Sequence, residues 1–233
     1  MPQEGNLDKH LYEYNKTVSE IIPDINFNGL AIIDFESWRP IFRQNFGSLQ
    51  PYKDLSISIE RKLHPTWTKQ RLENEASTRF EISGRTFVEQ TILFSKKLRP
   101  KAKWGYYAFP YCFNVNGDSC SNQVQGENNR YILVLEVFVL MCTKICYKTL
   151  HRMKWMFNAS DIILPSVYMQ ESTKTGIRQS IVQGRVKEAL RMSKLVNNRS
   201  VYVYIRYVYT DSLKLLSEVS AFWDFIYSIT LTK

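Results

Sequence analysis

Apolar positions recur along this chain with a helical period in some windows and a strand period in others, and the two kinds of window alternate. Leu7, Leu11, Val18, Ile21 and Ile22 share one helical face, and Pro23-Asp24 stops that helix. Residues 29–36 read as a strand: the apolar run Leu30–Ile33 has the length and β-branched content of a buried strand and ends in two carboxylates, Asp34 and Glu36. Residues 55–63 are ambiguous. Leu55, Ile57 and Ile59 alternate as in a strand, yet Leu55, Ile59 and Leu63 also form a helical stripe. From Thr68 to Leu98 the pattern predicts a long amphipathic helix with Leu72, Ala76, Phe80, Phe87 and Val88 inward, and Gly84 as a candidate break. Strands are predicted over 103–109, 162–169 and 201–208, and a helix over 182–196. Alternation of this kind argues for an α/β protein.

The strand ending in Asp34 and Glu36 carries the candidate chemistry. Side chains alternate faces along a strand, so these two carboxylates would stand side by side, about 6–7 Å apart at the backbone. Crowding like charges raises the pKa of one of them and keeps a proton available near neutral pH, as a general acid requires. There is no G-x-S-x-G sequence and no G-x-x-x-x-G-K phosphate loop.

The 233 residues fit one large domain, two small ones or a single α/β barrel, and 44% hydrophobic content supplies a core. A formal net charge of +9 favours acidic partners. Its densest run is Lys96, Lys97, Arg99, Lys101 and Lys103, at a predicted helix end where cations also complement the dipole. No nucleic-acid module accompanies the charge, and the apolar core of the Cys-rich segment, Tyr131–Cys142, is shorter than a membrane span. Neither nucleic acid nor membrane is therefore expected as a partner. Cys112 and Cys120 bracket the turn sequence Asn116-Gly117-Asp118 and are placed to close a small disulfide loop. Cys142 and Cys146 have only His151 nearby, too few ligands for an expected metal site, and no cofactor is expected. Asn15, Asn158 and Asn198 head N-x-[ST] sequons, which accept glycans on the secretory route. No signal peptide is visible after Met1-Pro2-Gln3-Glu4-Gly5.

IIDFESWRPIFRQNF (32–46) resembles the catalytic strand of the animal hyaluronidases, glycoside hydrolase family 56, and above all the insect venom enzymes. PQEGNLDKHL (2–11), SLQPYK (48–53), WGYYAFPYC (104–112), LPSVY (164–168) and GRVKEALR (184–191) agree in order and rough spacing. The resemblance implies a distorted (β/α) barrel with its site at one end of the strands. It implies an endo-glycosidase that hydrolyses β-1,4 N-acetylhexosaminide bonds of hyaluronan, with chondroitin as a further substrate. Two carboxylates on one strand suit an acid and its modulator better than an acid and an opposing nucleophile. The nucleophile is then the substrate's own N-acetyl oxygen, in a retaining, substrate-assisted mechanism. The position matching Glu36 protonates the glycosidic oxygen, and that matching Asp34 orients the acetamido group. Tyr107 matches a tyrosine that contacts this group, and Tyr168 one that lines the site. Arg39, beside the carboxylates, is expected either to bind a glucuronate or to hold a structural ion pair. A disulfide starting at Cys112 and secretion are also implied. Chitinases, the nearest competitors, have a D-x-D-x-E pattern that would need an Asp at Ile32.

The chain departs from the family pattern in three places. PQEGN-like sequence lies well inside family members, so the chain reads as shortened at its start, without the first barrel strands. Residues 130–151, RYILVLEVFVLMCTKICYKTLH, read as an atypical insertion. Residues 199–233 read as a divergent tail without the family's last strand. The expectation is a single partial barrel domain over 1–233. The alternative function is a catalytically inactive, hyaluronidase-like glycan-binding protein or a non-functional fragment.

Overall fold

The helical period of residues 7–22 becomes α1 (Leu7–Ile21), capped where the Asn6 side chain accepts the Lys9 N–H at 2.9 Å. The computed structural model describes residues 1–117, 119–121, 125, 127, 128 and 153–216. The remaining described strands and α-helices are β1 (Leu30–Ile33), α2 (Gln50–Leu63), α3 (Lys69–Leu98), β2 (Lys103–Tyr106), α4 (Lys154–Ala159), β3 (Ile162–Ile163), α5 (Thr175–Leu195) and β4 (Ser200–Val201), and short 3-10 helices cover Pro2–Glu4, Phe42–Gln44 and Gly47–Leu49. The expected insertion 130–151, and residues 217–233 of the expected tail, lie outside the described residues. The fold is α/β. The described sheets are small, with β1 beside β2 and β3 beside β4. No helix among the described residues is long and apolar enough to cross a membrane. The described residues form two units, 1–104 with 153–159, and 105–128 with 160–216.

In the first unit α3 is the organiser. Thr68 caps it, and its 30 residues span about 45 Å. Gly84 does not break the helix. A Cβ there would come within 3.1 Å of the Trp38 ring, so the glycine admits the segment that follows β1. Phe80, fully buried, takes Trp38 and Phe42 edge-on at 5.7 and 5.5 Å. Residues 55–63 are helical throughout, which settles the ambiguous window. The face of α2 that packs on α3 is polar: Ser56 donates to the Ala76 carbonyl, and buried Glu60 accepts from Arg79 Nη1 at 2.6 Å. Leu55 is left half exposed. The basic run of 96–103 is divided by the fold. Lys96 and Lys97 lie in the last turn of α3, but the Arg99 side chain is buried and donates to the Ile22 and Leu98 carbonyls. It thereby satisfies carbonyls at two helix ends that have no partner of their own.

On the other side of α3, His10 Nε2 meets Thr91 Oγ1 at 2.8 Å and its ring stands edge-on to Phe87. Tyr14 OH meets Ser95 Oγ at 2.7 Å, and burial pushes its phenol up to about 12. Burial also lowers the His10 pKa. A depressed histidine pKa means that the unfolded chain binds the proton more readily. Stability is therefore full above the unfolded value of about 6.5 and falls as pH drops below it. Thermal melts should show the midpoint decreasing from pH 7 to pH 5, and His10→Gln should flatten that part of the profile. An unaltered slope in the variant would assign the dependence elsewhere.

In the second unit β3 and β4 pair in parallel, with Ile162 opposite Ser200 and Ile163 opposite Val201. The expected strands 162–169 and 201–208 are thus much shorter. Among the described residues, pairing continues beyond them as a parallel bridge from Ser166 to Tyr204, with Tyr204 N–H on the Pro165 carbonyl and Val167 N–H on the Tyr204 carbonyl. Pro165 has no N–H to give to a ladder, which limits regular pairing there. Val208 instead turns back to bridge Leu215 in antiparallel fashion. Gly105 permits the close approach of β2 to β3, since a Cβ would lie 2.6 Å from the Ile162 carbonyl oxygen. α5 begins earlier than its apolar pattern predicts, and it packs Val182 and Val186 against Val167, Met169 and Tyr209. Cys112 and Cys120 form the expected disulfide. At a sequence separation of 8 residues, loop closure contributes about 2.5 kcal/mol in the chain-entropy account.

Candidate active site

β1 delivers the carboxylates. Ala31 and Ile33 are buried on one face, and the alternation outlasts the hydrogen-bonded strand. Asp34 and Glu36 are both exposed, while Phe35 between them turns inward and packs edge-on against Trp38 at 4.7 Å. The strand is therefore shorter than predicted, Leu30–Ile33 against 29–36, but its period of two still separates two outward acids from an inward ring.

The chain after Glu36 is held by a residue that sequence reasoning missed. Asn45 is fully buried. Its Oδ1 accepts the Arg39 N–H at 2.8 Å, and its Nδ2 donates to the Arg39 and Ile41 carbonyls at 2.9 and 3.0 Å. One amide thus ties Arg39 and Ile41 to the single-turn 3-10 helix Phe42–Gln44, which Asn45 itself caps. Glu81 on α3 accepts the Phe42 N–H at 3.0 Å and fixes the same segment from outside. Arg39 donates to the Gln44 carbonyl at 2.6 Å and lies over the Phe46 ring at 5.1 Å. Its guanidinium thus supports this turn. No spacing of residue types marks Asn45 in the sequence, because its partners are backbone carbonyls brought to it by the fold.

In the second unit the structure brings Tyr107 and Tyr168 together, with ring centres 6.2 Å apart. Tyr204 stands edge-on to Tyr107 at 4.9 Å, and the Arg206 guanidinium lies over Tyr168 at 5.4 Å. Tyr107 OH is 3.4 Å from Ser166 Oγ. Arg185, on α5, completes the group. It donates from Nη1 to the Ser166 carbonyl at 2.9 Å and from Nε to Asn114 Oδ1 at 3.2 Å. Asn114 is itself buried and donates to the Ile181 carbonyl. Burial lowers the Arg185 pKa and the nearby Tyr107 oxygen opposes that shift, so the cation and the phenol feel one another. Tyr204, Arg206 and Arg185 were not singled out from sequence. Arg185 lies within GRVKEALR, where its companions Arg191 and Glu188 pair locally on the same helix and hide its different environment.

The sequons are unequal. Asn198 is exposed in the turn after α5, at a positive φ of 53° that Asn tolerates, whereas Asn15 and Asn158 are half-buried on helices. Cys142, Cys146 and His151 lie outside the described residues.

The first unit thus presents two exposed acids at the end of β1, and the second unit, taken by itself, a tyrosine–arginine cluster. The class they point to is the glycoside hydrolases. The chain belongs to the hyaluronidase family, glycoside hydrolase family 56, whose family model matches residues 1–229. It is 44% identical to a hyaluronidase of Tabanus yao over 224 residues, 94% of this chain and 58% of that protein. It is 43% identical to a hyaluronidase of Apis mellifera over 213 residues, 91% of this chain and 51% of that protein. The chain thus spans little more than half the length of these relatives. The crystal structure of bee venom hyaluronidase in complex with a hyaluronic acid tetramer superposes with a TM-score of 0.86 at 40% identity, covering 100% of this chain and 67% of that one.

Proposed function

We propose that this chain is an endo-glycosidase that cleaves the β-1,4 N-acetylhexosaminide bonds of hyaluronan, with retention and by substrate assistance, and that chondroitin is a further substrate. The observation that carries the reading is the match, along the whole chain, to an enzyme solved with a hyaluronic acid tetramer, combined with two outward carboxylates after a buried strand. The chain would supply part of a distorted (β/α) barrel, as a single partial domain. Glu36 gives its proton to the glycosidic oxygen. Asp34 orients the acetamido group, whose oxygen attacks the anomeric carbon, and it supports the positive charge that develops. Tyr107 contacts the same acetamido group and Tyr168 lines the site. Arg185 acts as a positioning residue for Tyr107 by holding Ser166 and the strand end beneath the ring. Arg39, through its support of the turn, keeps the carboxylate segment in place and offers a cation to a glucuronate. Release of reducing ends from hyaluronan by the purified chain is the direct test, and a chain that binds hyaluronan without releasing any is the inactive companion instead.

Tyr107→Phe should lower kcat mildly, by about two- to tenfold, because it deletes one hydrogen bond and keeps the ring packing. A loss comparable with that of the acid itself would give the phenol a larger part than contact. We also propose that the protein is secreted and carries a glycan at Asn198, the exposed sequon. Expression through a eukaryotic secretory route should add one glycosidase-sensitive mass step that Asn198→Gln removes, and a step that survives the substitution would shift the assignment to Asn15 or Asn158.

A further inference from the structure

α2 and the first turn of α3 line an open pocket of about 570 Å³ with Phe42 in its wall and neither Asp34 nor Glu36 among its lining residues. Three cations face it: Lys53 and Arg61 from α2, and Lys69 from α3. Lys69 pairs loosely with Glu73 at 3.8 Å, and Asp54 accepts from the Gln50 amide at 2.8 Å. Among the described residues, the side chains of Lys53 and Arg61 have no hydrogen-bonding or ion-pair partner. The first turn of α3 contains no acidic side chain, so the positive end of that helix adds to the same field. Ile57 lies between the two cations on α2 and, with Phe42, provides an apolar wall.

We infer that this cavity is a second binding site, outside the catalytic segment, for a stretch of acidic polysaccharide. Lys53 and Arg61 are eight residues apart, about 12 Å of helix rise. That interval suits a polymer with one carboxylate on every second sugar. It suits nucleic acid poorly, because phosphates recur about every 3.4 Å along a strand and Asp54 and Glu73 would repel so dense a charge. The same two acids can accept hydrogen bonds from sugar hydroxyls, and Phe42 and Ile57 can cover the apolar face of a pyranose. The proposal rests on the glycosidase reading for its choice of polymer, but the site needs no catalysis to bind. Its role is to hold a long chain while the carboxylates act elsewhere on it.

The test measures binding of a fluorescently labelled long hyaluronan to the full chain, to Lys53→Ala/Arg61→Ala, and to the charge-preserving Lys53→Arg/Arg61→Lys, with neutral dextran and a single-stranded oligonucleotide as comparison probes. The alanine pair should weaken hyaluronan binding by at least about tenfold, through two lost charge-assisted contacts. It should also reduce the salt dependence. The exchanged pair should restore most of the affinity, and dextran should not bind. Unchanged hyaluronan affinity in the alanine pair overturns the proposal. So does an oligonucleotide that binds more tightly than hyaluronan and depends on the same two residues. If the chain releases no reducing ends, the glycosidase reading fails by itself, and loss of hyaluronan binding on removal of Lys53 and Arg61 still supports this site.

Discussion

Glu36→Gln is expected to abolish hyaluronan turnover while leaving hyaluronan binding intact. Gln keeps the shape and hydrogen-bonding reach of the side chain but has no proton to give. General acid catalysis contributes about 100- to 10,000-fold, equivalent to roughly 3–5 kcal/mol of barrier, and a sugar alkoxide is a poor leaving group that needs the proton. Glu36 is exposed, so the substitution should leave the melting temperature unchanged. The measurement is reducing-end release alongside hyaluronan affinity. Wild-type rates in Glu36→Gln would remove the acid from the mechanism, and lost affinity would make it a binding residue.

Hyaluronan stripped of its N-acetyl groups should be bound and left uncut. The proposed nucleophile is an oxygen of the substrate, already held beside the carbon it attacks, and such intramolecular placement accounts for about 7–11 kcal/mol of a barrier at its best. No carboxylate in the proposed constellation replaces it. Chemical re-acetylation of the same polymer should restore cleavage, which separates the missing oxygen from the added amine charge. Asp34→Asn should reproduce much of the defect with native substrate, since a neutral amide supports the developing charge less well. Efficient cleavage of the stripped polymer would instead require a protein nucleophile.

The carboxylate segment was legible because strand composition and strand alternation coincided there. A β-branched apolar run gave the strand, and alternation past its end separated Asp34 and Glu36 from the inward Phe35. The long helix was legible from a sustained stripe, with Gly84 misjudged because its reason is the Trp38 ring, which is distant in sequence. α2 was not legible. Its apolar residues alternate, but the surface it buries is the polar pair Ser56 and Glu60, and hydrophobic periodicity cannot report a face held by hydrogen bonds. The strand over 201–208 failed for a related reason, because Pro165 limits the ladder and the last residues pair with their own tail. Asn45 and Arg185 act through backbone carbonyls supplied by the fold, so no spacing of residue types announces them.

α4 has a consequence for the order of events on the ribosome. Trp155, Met156 and Phe157 are buried, Arg85 of α3 stacks over Trp155 at 5.5 Å, and α4 belongs to the first unit although it is encoded after most of the preceding chain. From Leu98 to Met153 is 153 − 98 = 55 residues of chain. At about 5–20 residues per second, the face of α3 that receives α4 waits roughly 3–11 s for its cover during synthesis. Helices equilibrate in about a microsecond, so α1, α2 and α3 have ample time to associate first. Until α4 is made, the face of α3 that it covers stays open to solvent, and a synonymous slowing of translation between Leu98 and Met153 lengthens that exposure without altering a single residue.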